Sequence, residues 1–320
     1  MARFLTKQRN LLPPVFLQVP FLAAFCVDRF WYRLLESIAR LMGSWVLVGA
    51  ARVIAAGYFF FSPLRRESIR FYQLLFPEKS PWFCRACTFR QYQRFTTIHA
   101  DRFLAHTKKD IGFEALGWEQ ITPYLRTKGA LLLMSHLGNW EIAATLLRKQ
   151  DENLPLLLYM GLKEKEGVEA AQKMELTQSG VRIIAAANND NDPFSMVEGI
   201  RFLREGGVVS MPGDIVWHAT QRKIVVSFLG KRAFLPAAPF VLARLAESPL
   251  FVFFAFQERS AHYTLSLSEP IFVHQHTGLT RDKALAAAAQ QYADILAETV
   301  RSHPFDWFHF SRFVVDLPAE

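Results

Sequence analysis

Gly129-Ala-Leu-Leu-Leu-Met-Ser-His136-Leu-Gly-Asn-Trp-Glu141 decides how the rest of the chain is read. Ala130 to Met134 is short, apolar and unbroken, the pattern of a strand buried on both faces of a sheet. Ile142 to Arg148 reads as a helix, with Asn139 as its N-cap. His136 therefore falls just past the carboxyl end of a strand, where open α/β sheets gather their ligands. Five residues apart in one regular helix is about 500° of rotation, so His136 and Glu141 would not share a helical face. With His136 on a turn, Glu141 in the first helical turn and Gly138 letting the backbone fold back, the two side chains can meet. A carboxylate on one imidazole nitrogen fixes the tautomer and stabilises the cation formed when the other nitrogen takes a proton. A plainer reading gives Glu141 to the helix dipole and leaves His136 as a polar residue at a strand end.

Outward from this stretch, strands and helices alternate. Ile111 to Glu119 fits a short strand and turn leading to a helix over 119–127. Beyond the motif come a strand over 154–160, a helix over 168–179, a strand over 181–186 and a helix over 194–205 closed by Gly206-Gly207. Val208 to Met211 is a further strand, ending in Pro212-Gly-Asp214. The expectation is an α/β domain over 111–320, with a mixed, largely parallel sheet covered by helices. Asp214 ends its strand as His136 does, so both can face one cleft; aspartate is also a common turn former. Arg222 follows in the next loop, where an arginine is either a ligand-binding group or simply solvated.

Charge divides the chain. Residues 1–110 hold 17 Lys/Arg against 6 Asp/Glu, a net of +11; the remainder holds 20 against 23, a net of −3. With apolar and aromatic residues interleaved, the first 110 residues suit a helical region attached to an anionic membrane surface. No nucleic-acid-binding motif accompanies the basic excess, so nucleic acid is not the expected partner. Residues 41–61 are long enough to span a bilayer, but Arg52 lies in their middle, which favours a helix in the interface. Helices continue over 65–110, with a break at 77–81. Three cysteines make no disulfide framework, and Cys84-Arg-Ala-Cys87 lacks the second pair of a zinc site. His274 and His276 would share one strand face but lack a third ligand nearby in sequence, so no metal site is expected. GxSxG, GxGxxG, Walker A and HExxH patterns are absent.

Ser135-His-Leu-Gly-Asn-Trp-Glu141 resembles the His-x4-Asp/Glu motif of the lysophospholipid acyltransferase superfamily, most closely the branch of lipid A biosynthesis (lauroyl/myristoyl) acyltransferases. The Pro212-Gly-Asp214 segment and Ile224 to Gly230 are similar to the third motif and the strand after it. Leu235-Pro-Ala-Ala-Pro239 resembles the fourth motif, commonly Phe-Pro-x-Gly-Pro, without its glycine. His303 to Phe313 resembles the closing Pro-x-x-Trp…Arg-Phe segment, which reads mainly as an aromatic cap on the core.

The resemblance implies the acyltransferase fold and transfer of a fatty acyl chain from acyl carrier protein or coenzyme A to a membrane lipid or lipid-like acceptor. It further implies no cofactor besides the acyl donor, at the cytoplasmic face of the bacterial inner membrane. On it, His136 and Glu141 are the expected catalytic pair, with Gly138, Asn139, Asp214 and Arg222 toward the substrates. The amides around Gly138 and Asn139 would hold the oxyanion at a helix start. A lipid-binding accessory protein of the same fold, and a thioesterase using His136 to activate water, are the alternatives.

Overall fold

A computed structural model describes residues 45–107, 111–161, 177, 180–186, 193–217, 220–259, 261–273 and 280–318. The helix expected over 168–179 and the histidines 274 and 276 fall outside the described residues, apart from residue 177.

Among the described residues three helices come first: α1 (Trp45–Phe61), α2 (Arg65–Leu75) and α3 (Pro81–Thr107), the break falling at Pro77 to Pro81 as its prolines require. At 1.5 Å per residue, the 17 described residues of α1 cover about 25 Å. Among the described residues no helix is long and apolar enough to cross a membrane. Cys84 and Cys87, one turn apart on α3, are free and buried against Tyr72 of α2, and burial pushes both thiols up.

The α/β part follows as β1 (Gly112–Leu116), α4 (Trp118–Ile121), a 3₁₀ turn (Thr122–Tyr124), β2 (Ala130–Met134), α5 (Trp140–Gln150), β3 (Leu156–Gly161) and β4 (Arg182–Ala186). Then come α6 (Pro193–Arg204), β5 (Val208–Pro212), β6 (Lys223–Phe228), β7 (Lys231–Pro236) and α7 (Ala238–Ala246). The last elements are β8 (Leu250–Arg259), β9 (His262–Leu267), α8 (Arg281–Ser302) and β10 (Val314–Pro318).

Among the described residues seven strands form one sheet in the order β1-β9-β8-β2-β5-β3-β4, parallel except for the antiparallel β8–β9 pair. Its centre is apolar on both faces, as the unbroken run at 130–134 requires. Leu131 and Leu133 enter one core with α7 and α8; Ala130 and Leu132 enter the other with Ile142, Ala143, Leu146 and Leu147 of α5. Helices therefore cover both faces. A second, three-stranded antiparallel sheet, β10-β7-β6, lays Ile224, Val226, Phe228, Ala233 and Leu235 onto the first core.

The β2–β5 register positions the site. Met134 pairs with Pro212, so the first residues beyond the two strand ends emerge side by side. His136 and Asp214 each lie two residues past that last pair. The helical segment is not remote from them. Tyr92 of α3 stacks on Phe310 at 5.2 Å, and Phe95 meets Phe308 edge-on at 5.3 Å. Thus α3, on the N-terminal side of the expected 110/111 division, packs on the chain's closing segment.

Candidate active site

Beyond β2 the chain reverses through Gly138, whose φ is +80°. A Cβ there would stand 2.4 Å from the Ala255 carbonyl oxygen, so both conformation and space demand glycine. The amide of Gly138 donates to the Asp306 carbonyl at 2.9 Å, and that of Asn139 to the Ala255 carbonyl at 2.7 Å. Those bonds fix the turn, and they correct one expectation: these two amides are occupied by backbone carbonyls and do not face an oxyanion. Asn139 holds the N-cap position of α5, but its side chain makes no cap and donates to Tyr263 Oη at 3.3 Å. Gly138→Ala should cost at least about 2 kcal/mol, from the left-handed backbone penalty and the carbonyl contact together, seen as a fall in denaturant midpoint.

Asp214 partners His136. Its Oδ1 lies 2.9 Å from the imidazole Nδ1, and its Oδ2 accepts the His136 backbone N–H at 2.8 Å. The indole N–H of Trp307 donates to the same Oδ2 at 3.2 Å. The carboxylate has no solvent exposure and the imidazole has 12%. Burial alone would raise the Asp214 carboxyl, but the charge and hydrogen bonds of His136, helped by His309, outweigh it and hold the group at about 2. An ionised Asp214 can only accept, so the proton of a neutral imidazole sits on Nδ1 and Nε2 keeps a lone pair. Such a nitrogen can take a proton from a substrate. The acceptor-holding part expected for Asp214 does not suit a buried carboxylate whose two oxygens already receive three donors.

Aromatic groups wall the imidazole. The Trp140 ring is 4.8 Å away, tilted, and the His309 ring 6.1 Å away, edge-on. His309 stacks on Trp307 at 5.3 Å with Nδ1 3.2 Å from the Ser311 carbonyl, and burial pushes its pKa down, which favours the neutral ring. Tyr292 of α8 reaches under the site, its hydroxyl 3.3 Å from the Met134 carbonyl.

The other expected residues lie as follows. Glu141 is in the first turn of α5, and its side chain is outside the described residues. Arg222 is exposed and pairs with Asp282 at 2.8 Å, so its guanidinium is engaged at the surface. Ser135 is 3% exposed, and its Oγ accepts from the Leu137 amide at 3.3 Å. In the fourth motif Ala238 opens α7 and is not among the positive-φ residues, so the missing glycine leaves no strain. Trp307 and Trp140 escaped the reading from sequence as site residues, although one stands in the closing segment and the other inside the central motif.

No curated protein matches the chain. A family model described as bacterial lipid A biosynthesis acyltransferase matches residues 86–313. That match takes in α3 from residue 86, the histidine turn, Asp214 and the closing aromatic segment, more than half of the chain. The chain belongs to the bacterial lipid A biosynthesis acyltransferase family and is an acyltransferase.

Proposed function

We propose that the chain moves a fatty acyl group from a thioester, on acyl carrier protein rather than coenzyme A, to a hydroxyl or amine of a lipid or lipid-like acceptor. The setting is the cytoplasmic face of the bacterial inner membrane. The observation that carries the mechanism is the buried Asp214 carboxylate on His136 Nδ1. His136 Nε2 is the general base, within hydrogen-bond reach of the acceptor. As the acceptor's oxygen or nitrogen attacks the thioester carbonyl, its proton passes to Nε2, and ionised Asp214 stabilises the imidazolium. The carbon–sulfur bond then breaks, and the departing thiolate takes the proton back. Glu141, on the first turn of α5, completes the His-x4-Glu motif and stays in this reading as the second acidic residue of the catalytic set. Buried Ser135, with its Oγ engaged, and the buried helical cysteines Cys84 and Cys87 are poor nucleophiles, which supports direct transfer without an acyl-enzyme.

A membrane partner is supported by the leading helices. Phe60, Phe61 and Trp82 are 64%, 83% and 75% exposed, in a region whose net charge is strongly positive. Arg85 covers the Trp82 ring at 4.7 Å and Lys79 lies 5.9 Å from the Phe83 centroid. Aromatic bodies with cationic partners suit a lipid headgroup layer.

The test follows label from a radioactive acyl-carrier-protein thioester in the presence of bacterial lipid extract. Labelled lipid heavier by one acyl unit, with one thiol released per transfer, is expected. Free fatty acid formed independently of acceptor would mean a hydrolase instead. Label bound to protein after denaturation would replace direct transfer with an acyl-enzyme.

A further inference from the structure

Three consecutive residues of the closing segment hold the catalytic turn. The Asp306 carbonyl accepts the Gly138 amide, and the Phe308 amide donates to the His136 carbonyl at 2.7 Å. Trp307 bridges Leu137 antiparallel and gives its indole N–H to Asp214. Residues 306–308 therefore touch the turn at His136, Leu137 and Gly138 and reach Asp214 through the indole.

Those residues are held in turn from α3. Arg94 Nε donates to Asp306 Oδ1 at 2.6 Å, and its Nη2 to the Gln257 carbonyl near the end of β8 at 2.7 Å. One turn earlier, the buried Gln91 donates from Nε2 to the Trp307 carbonyl. The Asp306 carboxylate is 12% exposed and Arg94 is 32% exposed, so the pair is partly shielded from water. Gln257 lies two residues after Ala255, whose carbonyl accepts the Asn139 amide. A single guanidinium thus joins the closing strap to the strand that supports the other side of the histidine turn.

We propose that Arg94 is a positioning residue for His136, acting through the 306–308 strap. Its planar fork directs two N–H groups at fixed angles to two acceptors, whereas lysine offers a point charge on a flexible stem. The inference rests on the reading of His136 as base, and it makes a helix in the basic leading region part of the catalytic framework. A small displacement of reacting groups costs up to about 10²-fold in rate.

Arg94→Lys keeps the charge and loses the fork. In the full-length protein it should lower kcat by roughly tenfold to a hundredfold. KM should stay within about twofold, because the strap does not bind substrate. An ion pair serving stability alone would be largely preserved by lysine, so a wild-type kcat in the folded variant overturns the proposal. A raised KM at constant kcat also overturns it. Should Arg94→Lys not fold, Asp306→Asn, equal in size, is read by the same split. Activity surviving in His136→Asn overturns the base reading and this inference with it, whereas a wild-type kcat in Arg94→Lys removes the inference alone.

Discussion

Asp214→Asn is expected to lower kcat by on the order of 10³–10⁴-fold while leaving KM within a few-fold of wild type. The reason is the direction of three donors. Oδ2 receives two N–H donors, the His136 backbone amide and the Trp307 indole, and Oδ1 faces the imidazole Nδ1. An asparagine has one accepting oxygen and one donating nitrogen. With its oxygen at the Oδ2 position both N–H donors are kept, but the amide nitrogen then points at Nδ1. Nδ1 must accept, the ring proton moves to Nε2, and the base has no lone pair for the acceptor. The flipped amide keeps the right tautomer but sets a donor against two buried donors. Each lost buried hydrogen bond costs about 1–3 kcal/mol, and the Asp214 side chain has no exposure through which water could replace it. The first arrangement is therefore favoured, with the fold kept and the chemistry lost. A variant within tenfold of wild-type kcat, or one altered in KM alone, would return Asp214 to a substrate-holding part.

His136→Asn should lose as much or more, up to about 10⁴-fold, and should do so in a folded protein. The asparagine amide nitrogen lies close to where Nδ1 was and can donate to Asp214 Oδ1, so the buried carboxylate keeps a partner. Alanine would leave that carboxylate without its side-chain partner, and breaking a buried pair in this way costs about 3–5 kcal/mol of stability. Asparagine therefore separates catalysis from folding where alanine mixes them. The double variant His136→Asn/Asp214→Asn should be no more than about tenfold slower than His136→Asn, because the two residues act as one unit. Losses that multiply across the double variant would show that Asp214 contributes by a route other than the imidazole. Equilibrium unfolding of the same proteins provides the control, with His136→Asn expected close to wild type.

Asp214 also sets a sign for acid stability. Its folded pKa is held below the unfolded value near 3.9, so its contribution is complete above that value and is lost as pH falls toward 2. His309 acts earlier: its folded pKa is depressed, so the unfolded chain binds the proton first and stability declines as pH falls below about 6.5.

The sequence by itself determined what is local. An unbroken apolar run at 130–134 can only be comfortable between two cores, and the structure buries it between them. Gly138 was legible as a reversal because the chain must turn between that strand and the helix after it; its φ of +80° is that requirement made concrete. The helix break near Pro77 and Pro81 and the Gly206-Gly207 helix end follow from residues that constrain their own backbone, with Gly206 at φ +85°. The resemblance carried by the His136 turn also stood, since a short motif is a local pattern.

Partnership was different. That His136 Nδ1 meets Asp214, 78 positions later, was decided by the parallel register of β2 on β5, a pairing that crosses two other strands in sequence. Trp307 and Arg94 join the site from opposite ends of the matched region, 93 positions from Asp214 in one case and 212 from Asp306 in the other. The commitment of the Gly138 and Asn139 amides depended on β8 and the closing strap arriving beside them. Periodicity and turn chemistry report the conformation of a segment from its own side chains, but hydrogen-bond partners depend on which segments the two cores press together. Only the tertiary structure could assign them.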